Sequence, residues 1–302
     1  MPEIKTIAVV GAGIMGRGIA HVAALRGYRT ILEDILPTSL RRAESEIRGN
    51  LDKAVELGKV KKEDAEGAMG RLEFATSLED AAREADMVIE AVPEEFDSKE
   101  EIFRLLDRIC RPNTVLATNT SSLSITEIAA VTERPQNVVG MHFFNPVHKM
   151  KLIEIIKATK TDDESLQAAI TVGRRMGKET VVINEAPGFI TSRINAMIGN
   201  EAFYMLEAGI ASAEDIDKAL KLGLNHPMGP FEMVDLVGLD TRLSILRYLH
   251  QTLGEKFRPA PLLERFVAEG RLGRKVGRGV FEYPEILKRR EEEDRKRSAN
   301  AK

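Results

Sequence analysis

The stretch Lys5-Thr-Ile-Ala-Val-Val-Gly-Ala-Gly-Ile-Met-Gly16 decides the fold of this chain. Its first six residues read as a short apolar strand, residues 11–16 form a glycine-rich turn, and an apolar helix is predicted to run on to about Arg26. A second strand, residues 30–33, ends at the acid Asp34. Strand, glycine turn, helix, strand and acid in this order are the βαβ fingerprint of a dinucleotide site, whereas a simple tight turn is the alternative.

Each glycine of the motif has its own predicted role. Gly11 permits the tight turn, Gly13 lets the backbone approach a pyrophosphate, and Gly16 lets the helix pack on the strand. Met15, inside the motif, is assigned to the cofactor site as well. Asp34 lies 23 residues after Gly11, where a carboxylate accepts from a ribose 2′-hydroxyl and repels a 2′-phosphate. The sequence therefore predicts NAD rather than NADP.

The composition excludes several classes of protein. The chain has 302 residues, 43% of them hydrophobic, which favours two domains with sizeable cores. Its net charge of −3 gives no overall field that would attract nucleic acid or a membrane, and no apolar run of about 18 residues predicts a spanning helix. One cysteine and five scattered histidines predict no disulfide and no metal site. The start shows no signal pattern, so a cytoplasmic location is expected.

The order of predicted elements indicates a domain boundary near residue 186. Strands alternate with helices up to about residue 183, after which only helical periodicity continues. We therefore predict an α/β Rossmann-type doubly wound sheet followed by a smaller all-α domain. The first domain, residues 1–186, would bind NAD. The second, residues 187–302, would serve substrate binding and dimerisation and would end in a charged tail, residues 289–302.

Apolar helices in so small a second domain predict a homodimer that forms through this domain. The alternative is that these apolar faces only build the internal core of the domain.

A second decisive stretch runs from Gly140 to Ile156, where two predicted strands flank a turn at Pro146. Glu154 lies in the middle of the nearly all-apolar second strand, where an unpartnered carboxylate would be costly. His142 ends the preceding strand and could reach Glu154, and an imidazole with such a partner has a defined tautomer and can act as a base. The alternative is that Glu154 bonds only to backbone and His142 is an ordinary core residue.

Further polar residues follow two predicted buried strands. Glu94 and Lys99 come after the strand at residues 87–92, and Ser121 comes after the strand at residues 115–118. Because ligands of doubly wound sheets bind beyond the carboxyl ends of the strands, these side chains are candidates for ligand contacts. For Glu94 and Lys99 the alternative is an ordinary surface pair.

Several segments together resemble the L-3-hydroxyacyl-CoA dehydrogenase family, which includes bacterial 3-hydroxybutyryl-CoA dehydrogenases, over about residues 4–283. The segments that carry the resemblance are Gly11-Ala-Gly-Ile-Met-Gly-Arg-Gly-Ile-Ala20, Asn119-Thr-Ser-Ser-Leu123, His142-Phe-Phe-Asn-Pro146, Lys151-Leu-Ile-Glu154, Pro187-Gly-Phe-Ile190, Pro227-Met-Gly-Pro-Phe-Glu232 and Gly238-Leu-Asp240. The first is common to many enzymes, whereas the others, in this order, are specific.

The resemblance implies NAD-dependent oxidation of an L-3-hydroxyacyl-CoA, and its reverse, with His142 as the general base and Glu154 as its orienting partner. It places Ser121 and Asn145 as hydrogen-bonding groups on substrate and cofactor. The further cofactor contacts that it implies are Asp34, Glu94, Lys99, Asn119 and Lys275.

One position departs from the family pattern. Two residues after Ile190 the family usually has an asparagine near the substrate, and this chain has Ser192. Relatives that resemble this chain act on other hydroxy acids such as gulonate, so an NAD-dependent dehydrogenase of a non-CoA hydroxy acid is an alternative. A second alternative is a protein that binds NAD without catalysis.

Overall fold

The computed structural model describes residues 3–288, so the predicted charged tail at residues 289–302 lies outside the described residues. The chain divides into two compact units, Met1–Phe189 and Ile190–Lys302. Within the described residues no helix combines the length and the apolar character that are needed to cross a lipid bilayer.

One eight-stranded sheet forms the centre of the first unit. Its strands are β1 (Thr6–Val10), β2 (Arg29–Glu33), β3 (Leu72–Ala75), β4 (Met87–Glu90), β5 (Val115–Thr118), β6 (Val138–Phe143), β7 (Leu152–Lys157) and β8 (Glu179–Asn184). Their spatial order is β3-β2-β1-β4-β5-β6-β7-β8. Strands β1 to β6 are parallel, β7 runs antiparallel to β6, and β8 is parallel to β7. The first six strands thus have the order of a Rossmann sheet, and the predicted fold class is confirmed.

Helices cover both faces of this sheet. They are α1 (Ile14–Leu25), α2 (Pro37–Glu56), α3 (Lys62–Gly70), α4 (Leu78–Ala82), α5 (Phe96–Ile109), α6 (Ile125–Ala130) and α7 (Asp163–Arg175). Alternate residues of β1 enter separate cores: Ile7 packs in the cluster that contains Ile19 of α1, whereas Ala8 packs in the cluster that contains Phe103 of α5. Burial on both faces explains why the parallel strands read as continuous apolar runs.

Two short elements were absent from the sequence analysis. Strand β3 has four residues and helix α4 has five, and they follow one another at the sheet edge beside β2. Neither is long enough to show a clear periodicity, because four or five residues cover only two alternations of a strand or little more than one helical turn.

The second unit is helical in its described part. Its helices are α8 (Thr191–Glu207), α9 (Ala213–Gly223), α10 (Pro230–Val237), α11 (Leu239–Leu253) and α12 (Pro261–Ala268). They enclose a core of their own that includes Phe203, Phe231, Leu246 and Leu263. Asp217 of α9 accepts hydrogen bonds from the first backbone N–H groups of α10, so a buried acid serves as the cap of a neighbouring helix.

Candidate active site

The glycine turn after β1 is shaped by contacts that only glycine tolerates. Gly11 has φ +95°, in the region that favours glycine, and its N–H donates to the carbonyl of Glu33 at 2.8 Å. A Cβ at Gly16 would lie 1.7 Å from the Gly11 carbonyl oxygen, so α1 could not pack on the turn with any side chain there. A Cβ at Gly13, in contrast, would meet nothing within 4 Å. The turn is therefore closed at Gly16 and open at Gly13.

This open end fits the phosphates of a dinucleotide. Helix α1 begins after Gly13 with no side-chain cap and no acid in its first turn, so its first N–H groups are available to an anion. Asp34 stands at the end of β2, where its two carboxylate oxygens accept from the N–H groups of Ala12 and Leu36, each at 2.9 Å. Each oxygen retains a further lone pair, which is what a ribose hydroxyl requires. Met15 is half-buried in the first turn of α1.

A neighbouring acid, Glu33, was missed by the sequence analysis. It is 4% exposed at the end of β2, directly before Asp34. Burial, and secondly the charge of Asp34, raise the pKa of Glu33 to about 7. The doublet of two acids at a strand end was the available signal, but the sequence could not tell which of them is buried.

His142 and Glu154 lie directly opposite each other on β6 and β7. Their side chains point to the same face of the sheet and meet, with His142 Nδ1 at 2.7 Å from a Glu154 carboxylate oxygen. Both are buried, with side-chain exposures of 8% and 1%. The contact that the sequence predicted is therefore present. With Nδ1–H donated to the carboxylate, Nε2 keeps its lone pair, which is the form that a general base needs.

Two aromatic rings fix the position of the imidazole. The ring centroids of Phe144 and Phe189 lie 4.5 Å and 5.7 Å from that of His142, both in tilted arrangements. Phe144 directly follows β6, so the chain that leaves the strand packs back on its own histidine. The rings and Glu154 together leave the imidazole little freedom to rotate.

The turn after β5 is organised around the carboxylate of Glu94. One oxygen of Glu94 accepts from the hydroxyl of Thr120 at 2.7 Å, and from both the N–H and the hydroxyl of Ser121 at 2.7 and 3.1 Å. Asn119, at the start of this turn, accepts the N–H of Phe143 at 2.9 Å and so joins the ends of β5 and β6. Desolvation alone would raise the pKa of Glu94, but the charge of Lys99 and the hydrogen bonds from Thr120 and Ser121 together lower it below its ordinary value.

Lys99 lies deeper, at the start of α5, and is 1% exposed. Its ammonium is 2.6 Å from Glu90 at the end of β4, 3.3 Å from the Val92 carbonyl oxygen and 3.4 Å from Glu94. The buried cation thus connects the end of β4 with the turn that carries Ser121. Its predicted contact with the cofactor stays a prediction.

The remaining predicted residues belong to different elements of the chain. Asn145 is exposed in the connection between β6 and β7. Ser192 is the second residue of α8, in the second unit. Lys275, also in the second unit, forms an ion pair in which its ammonium is 2.6 Å from each carboxylate oxygen of Asp240. The roles of these residues stay predictions.

Family models match nearly the whole chain. Residues 6–186 match the NAD-binding domain of 3-hydroxyacyl-CoA dehydrogenase, and residues 188–283 match the C-terminal domain of the same family.

Individual relatives agree with this match over their full length. The probable 3-hydroxybutyryl-CoA dehydrogenase of Bacillus subtilis is 46% identical over 284 residues, which cover 94% of this chain and 99% of the relative. The 3-hydroxybutyryl-CoA dehydrogenase of Bradyrhizobium diazoefficiens is 43% identical, with 93% and 96% covered. The crystal structure of (S)-3-hydroxybutyryl-CoA dehydrogenase from Ralstonia eutropha superposes with a TM-score of 0.91 at 40% identity, with 93% and 99% covered. The dinucleotide turn, the His–Glu pair and these matches agree: this chain belongs to the NAD-dependent 3-hydroxyacyl-CoA dehydrogenase family.

Proposed function

We propose that the protein oxidises L-3-hydroxyacyl-CoA, with a short acyl chain such as 3-hydroxybutyryl-CoA, to the 3-ketoacyl-CoA, and catalyses the reverse reaction. The observation that carries this proposal is the buried His142–Glu154 contact of 2.7 Å. His142 lies near the carboxyl end of β6, and the glycine turn follows the carboxyl end of the parallel strand β1. The names of the relatives support the choice of substrate. We place the proposed reaction in the oxidation or synthesis of fatty acyl chains.

In the proposed reaction, Nε2 of His142 takes the proton of the substrate 3-hydroxyl. NAD supplies the acceptor for the hydride that leaves C3 of the substrate. Because proton and hydride leave adjacent atoms, the imidazole and the cofactor must flank one carbon atom, and the acceleration comes from positioning. Glu154 stabilises the imidazolium that forms, and it holds the ring in the productive tautomer.

Ser121 and Asn145 are the proposed hydrogen-bonding groups for the oxygens of the substrate. The Ser121 backbone N–H donates to Glu94 at 2.7 Å and keeps the residue in place, so its hydroxyl can turn from Glu94, 3.1 Å away, and donate to a substrate oxygen. Asn145 brings an exposed carboxamide that can both donate and accept.

We also propose a homodimer formed through the second unit. Ile190, directly before α8, and Ile194 and Met197 on α8 are 46%, 53% and 38% exposed, and their spacing places them in one stripe. An exposed apolar stripe is typical of a surface that contacts another protein, and we assign it to a second copy of this chain.

A dehydrogenase of a non-CoA hydroxy acid is the second candidate, and specific neighbours favour testing it. A diketoreductase structure superposes with a TM-score of 0.81 at 30% identity, and a dehydrogenase of a pyridine carboxylic acid with 0.77 at 29%. The sequence also favours this test, because Ser192 stands where the family usually has an asparagine near the substrate.

A substrate panel separates the two candidates. We expect NADH oxidation with acetoacetyl-CoA at a kcat/KM at least about 10²-fold above that of NAD reduction with free 3-hydroxybutyrate or gulonate, because only the thioester carries the CoA group that supplies remote binding energy. A higher kcat/KM with either free acid would contradict the acyl-CoA proposal. Absence of turnover with every substrate, together with intact NADH binding, would favour a non-catalytic protein.

A further inference from the structure

The segment between β6 and β7 carries two side chains of the proposed site. Phe144 packs against the His142 ring, with centroids 4.5 Å apart, and Asn145 follows it directly. The backbone N–H groups of Lys149 and Met150 both donate to the Pro146 carbonyl, at 2.9 and 3.0 Å, so the segment closes on itself as a compact turn. Its placement on the rest of the unit decides where Phe144 and Asn145 stand.

Helix α1 holds the segment by two side-by-side contacts. Val147 is 2% exposed and lies so close to Gly18 that a Cβ at Gly18 would be 2.9 Å from the Val147 side chain. One helical turn further on, His21 stacks on His148 with ring centroids 5.6 Å apart and planes inclined by 17°. A stack in this geometry brings two titratable rings into contact.

Lys178, directly before β8, holds the segment from the other side. Its ammonium donates to the carbonyl of Val147 and, at 2.7 Å, to the carbonyl of Met150. Lys178 is 8% exposed, so these bonds attach a buried ammonium group to the backbone of the segment. Burial, and secondly the charge of the neighbouring Arg26, lower the pKa of Lys178.

The charges around the two imidazoles are predominantly positive. Lys178 faces both rings, and Lys149 faces His148. A cavity of about 150 Å³ next to the rings is lined by further polar groups, namely Arg17, Glu46, Asn50 and Asn145. Glu46, the acid among them, is already paired with Arg17 at 2.7 Å and with Arg42 at 2.9 Å. A proton on either imidazole would therefore add a cation to a cluster of cations.

The pKa of each ring is lowered, so both rings are neutral near pH 7, although only His21 is deeply buried, at 4% exposure, and His148 is exposed at the surface. Burial, then His148 and Lys178, lower the pKa of His21 to about 4. Burial, then Lys149 and Lys178, lower the pKa of His148. The stack is thus a contact between neutral rings, and it weakens once acid conditions protonate one of them.

We propose that His21, His148 and Lys178 are positioning residues that hold the segment 144–150 against α1, and that this hold on Phe144 and Asn145 persists only while both imidazoles are neutral. The inference rests on the proposed function only for the role of Asn145 at the substrate. The hold itself is a property of the fold.

Hydrogen exchange tests the hold without any substrate. The protein is exchanged in D₂O at pH 7.5 and pH 5.0, and rates in peptides that span residues 144–151 are corrected for intrinsic exchange. We expect the protection of this segment to fall at least about 10-fold at pH 5.0, because opening returns the imidazoles to their ordinary pKa of 6.5 and proton uptake then favours the open segment. Peptides of β6 should stay protected and show that the unit remains folded. Unchanged protection of the segment at pH 5.0 would overturn the proposal.

Variants identify the groups responsible. In the double variant His21→Gln/His148→Gln we expect the loss of protection at pH 5.0 to disappear, whereas His250→Gln, which removes a histidine paired with Glu255 in the second unit, should respond like the unchanged protein. His21→Lys, which places a permanent cation in the stack, should show the loss already at pH 7.5 with β6 still protected. The same acid response in the double variant as in the unchanged protein would also overturn the proposal.

A kinetic measurement connects the hold to the site. In acetoacetyl-CoA reduction, we expect the KM to rise below about pH 6 in the unchanged protein and to change less in the double glutamine variant, because Asn145 binds substrate and does not transfer the proton. An identical rise in both proteins would contradict the positioning role. If acetoacetyl-CoA is not a substrate, the proposed function fails, and hydrogen exchange still decides the inference.

Discussion

At the scale of the residue, the site depends on partners that individual side chains have already engaged. The imidazole of His142 has Glu154 at one nitrogen and aromatic rings around it. The carboxylate of Glu94 orients the hydroxyl of Ser121. In both cases an acid, buried for Glu154 and exposed for Glu94, fixes a neighbouring side chain that has a further polar atom for a ligand. The chemistry is therefore set before a substrate arrives, which is what positioning catalysis requires.

The partner relation of Glu154 and His142 can be measured. We expect Glu154→Gln to lower kcat by about 10²-fold or more, because the amide carries no charge to stabilise the imidazolium, and His142→Gln to lower it by about 10²–10⁴-fold. NADH affinity, measured by fluorescence titration, should stay within about threefold in both variants, since the glycine turn is untouched. A Glu154→Gln enzyme with the kcat of the unchanged protein would rule out the orienting role.

Glu33 makes stability depend on pH in a direction opposite to that of a paired acid. Its pKa is about 7 in the folded chain and near 4.5 in the unfolded chain, so folding favours the protonated form. The stabilising contribution of protonated Glu33 to the free energy of unfolding is fully present below about pH 4.5 and is lost as the pH rises through 7.

Glu33→Gln should therefore stabilise the protein more at pH 8.5 than at pH 5. The gain in free energy of unfolding over the unchanged protein should be roughly 2–3 kcal/mol larger at pH 8.5 than at pH 5. Urea unfolding of the cofactor-free protein at both pH values measures this difference. Glu101→Gln, which replaces an exposed acid on α5, is the matched control and should show no such pH-dependent gain. An equal effect in both variants would show that Glu33 is not the group responsible.

At the scale of the element, the strand–turn–helix unit separates packing from cofactor binding. Gly16 is closed in by the Gly11 carbonyl, whereas Gly13 borders open space at the uncapped start of α1. Two glycines three residues apart therefore serve different purposes, one within the fold and one toward the ligand.

Alanine substitutions at the two glycines should separate these purposes. Gly13→Ala should leave the Tm within a few degrees of that of the unchanged protein and weaken NADH at least about 10-fold, because its methyl group occupies the approach of the pyrophosphate. Gly16→Ala should lower both the Tm and NADH affinity, because the helix must move away from the turn. Thermal scanning and NADH titration on the same samples measure both. Equal Tm losses in the two variants would contradict the distinction.

Local elements could be predicted from the sequence, and contacts across the fold could not. The dinucleotide motif and the β6–β7 pair are each formed by residues that lie near one another in the chain. Sequence periodicity therefore predicted the turn at Gly11–Gly16 and the contact between His142 and Glu154. Strand β3 and helix α4 are too short for periodicity to show. Thr120, in the turn after β5, and its partner Glu94 are 26 positions apart in the chain, and the stacked His21 and His148 are 127 positions apart. Only the folded sheet brings each of these pairs together.

At the scale of the whole molecule, the exposed stripe on α8 leads to a statement about assembly. The chain mass is 33.5 kDa, and Ile190, Ile194 and Met197 present apolar side chains at helical spacing. We expect light scattering after size exclusion to give twice the chain mass. The double variant Ile194→Asp/Met197→Asp should give the single chain mass at low micromolar concentration, because charges would be buried at the contact.

Leu57→Asp is the matched control for that measurement. Leu57 is 59% exposed in the first unit, so the same change of an exposed leucine to aspartate should leave the dimer intact. If the double variant also stays at twice the chain mass, the contact lies elsewhere on the surface.

The antiparallel pairing of β6 with β7 has a consequence for how faithfully each molecule must be assembled. Sliding one strand past the other by a single residue would set Ile153 or Ile155 against His142 and turn the carboxylate of Glu154 to the opposite face. A chain with this misalignment would keep its strands and helices but would have lost its proton acceptor. Turnover per folded molecule therefore reports on the fidelity of strand alignment, a property that spectroscopic measures of secondary structure do not detect.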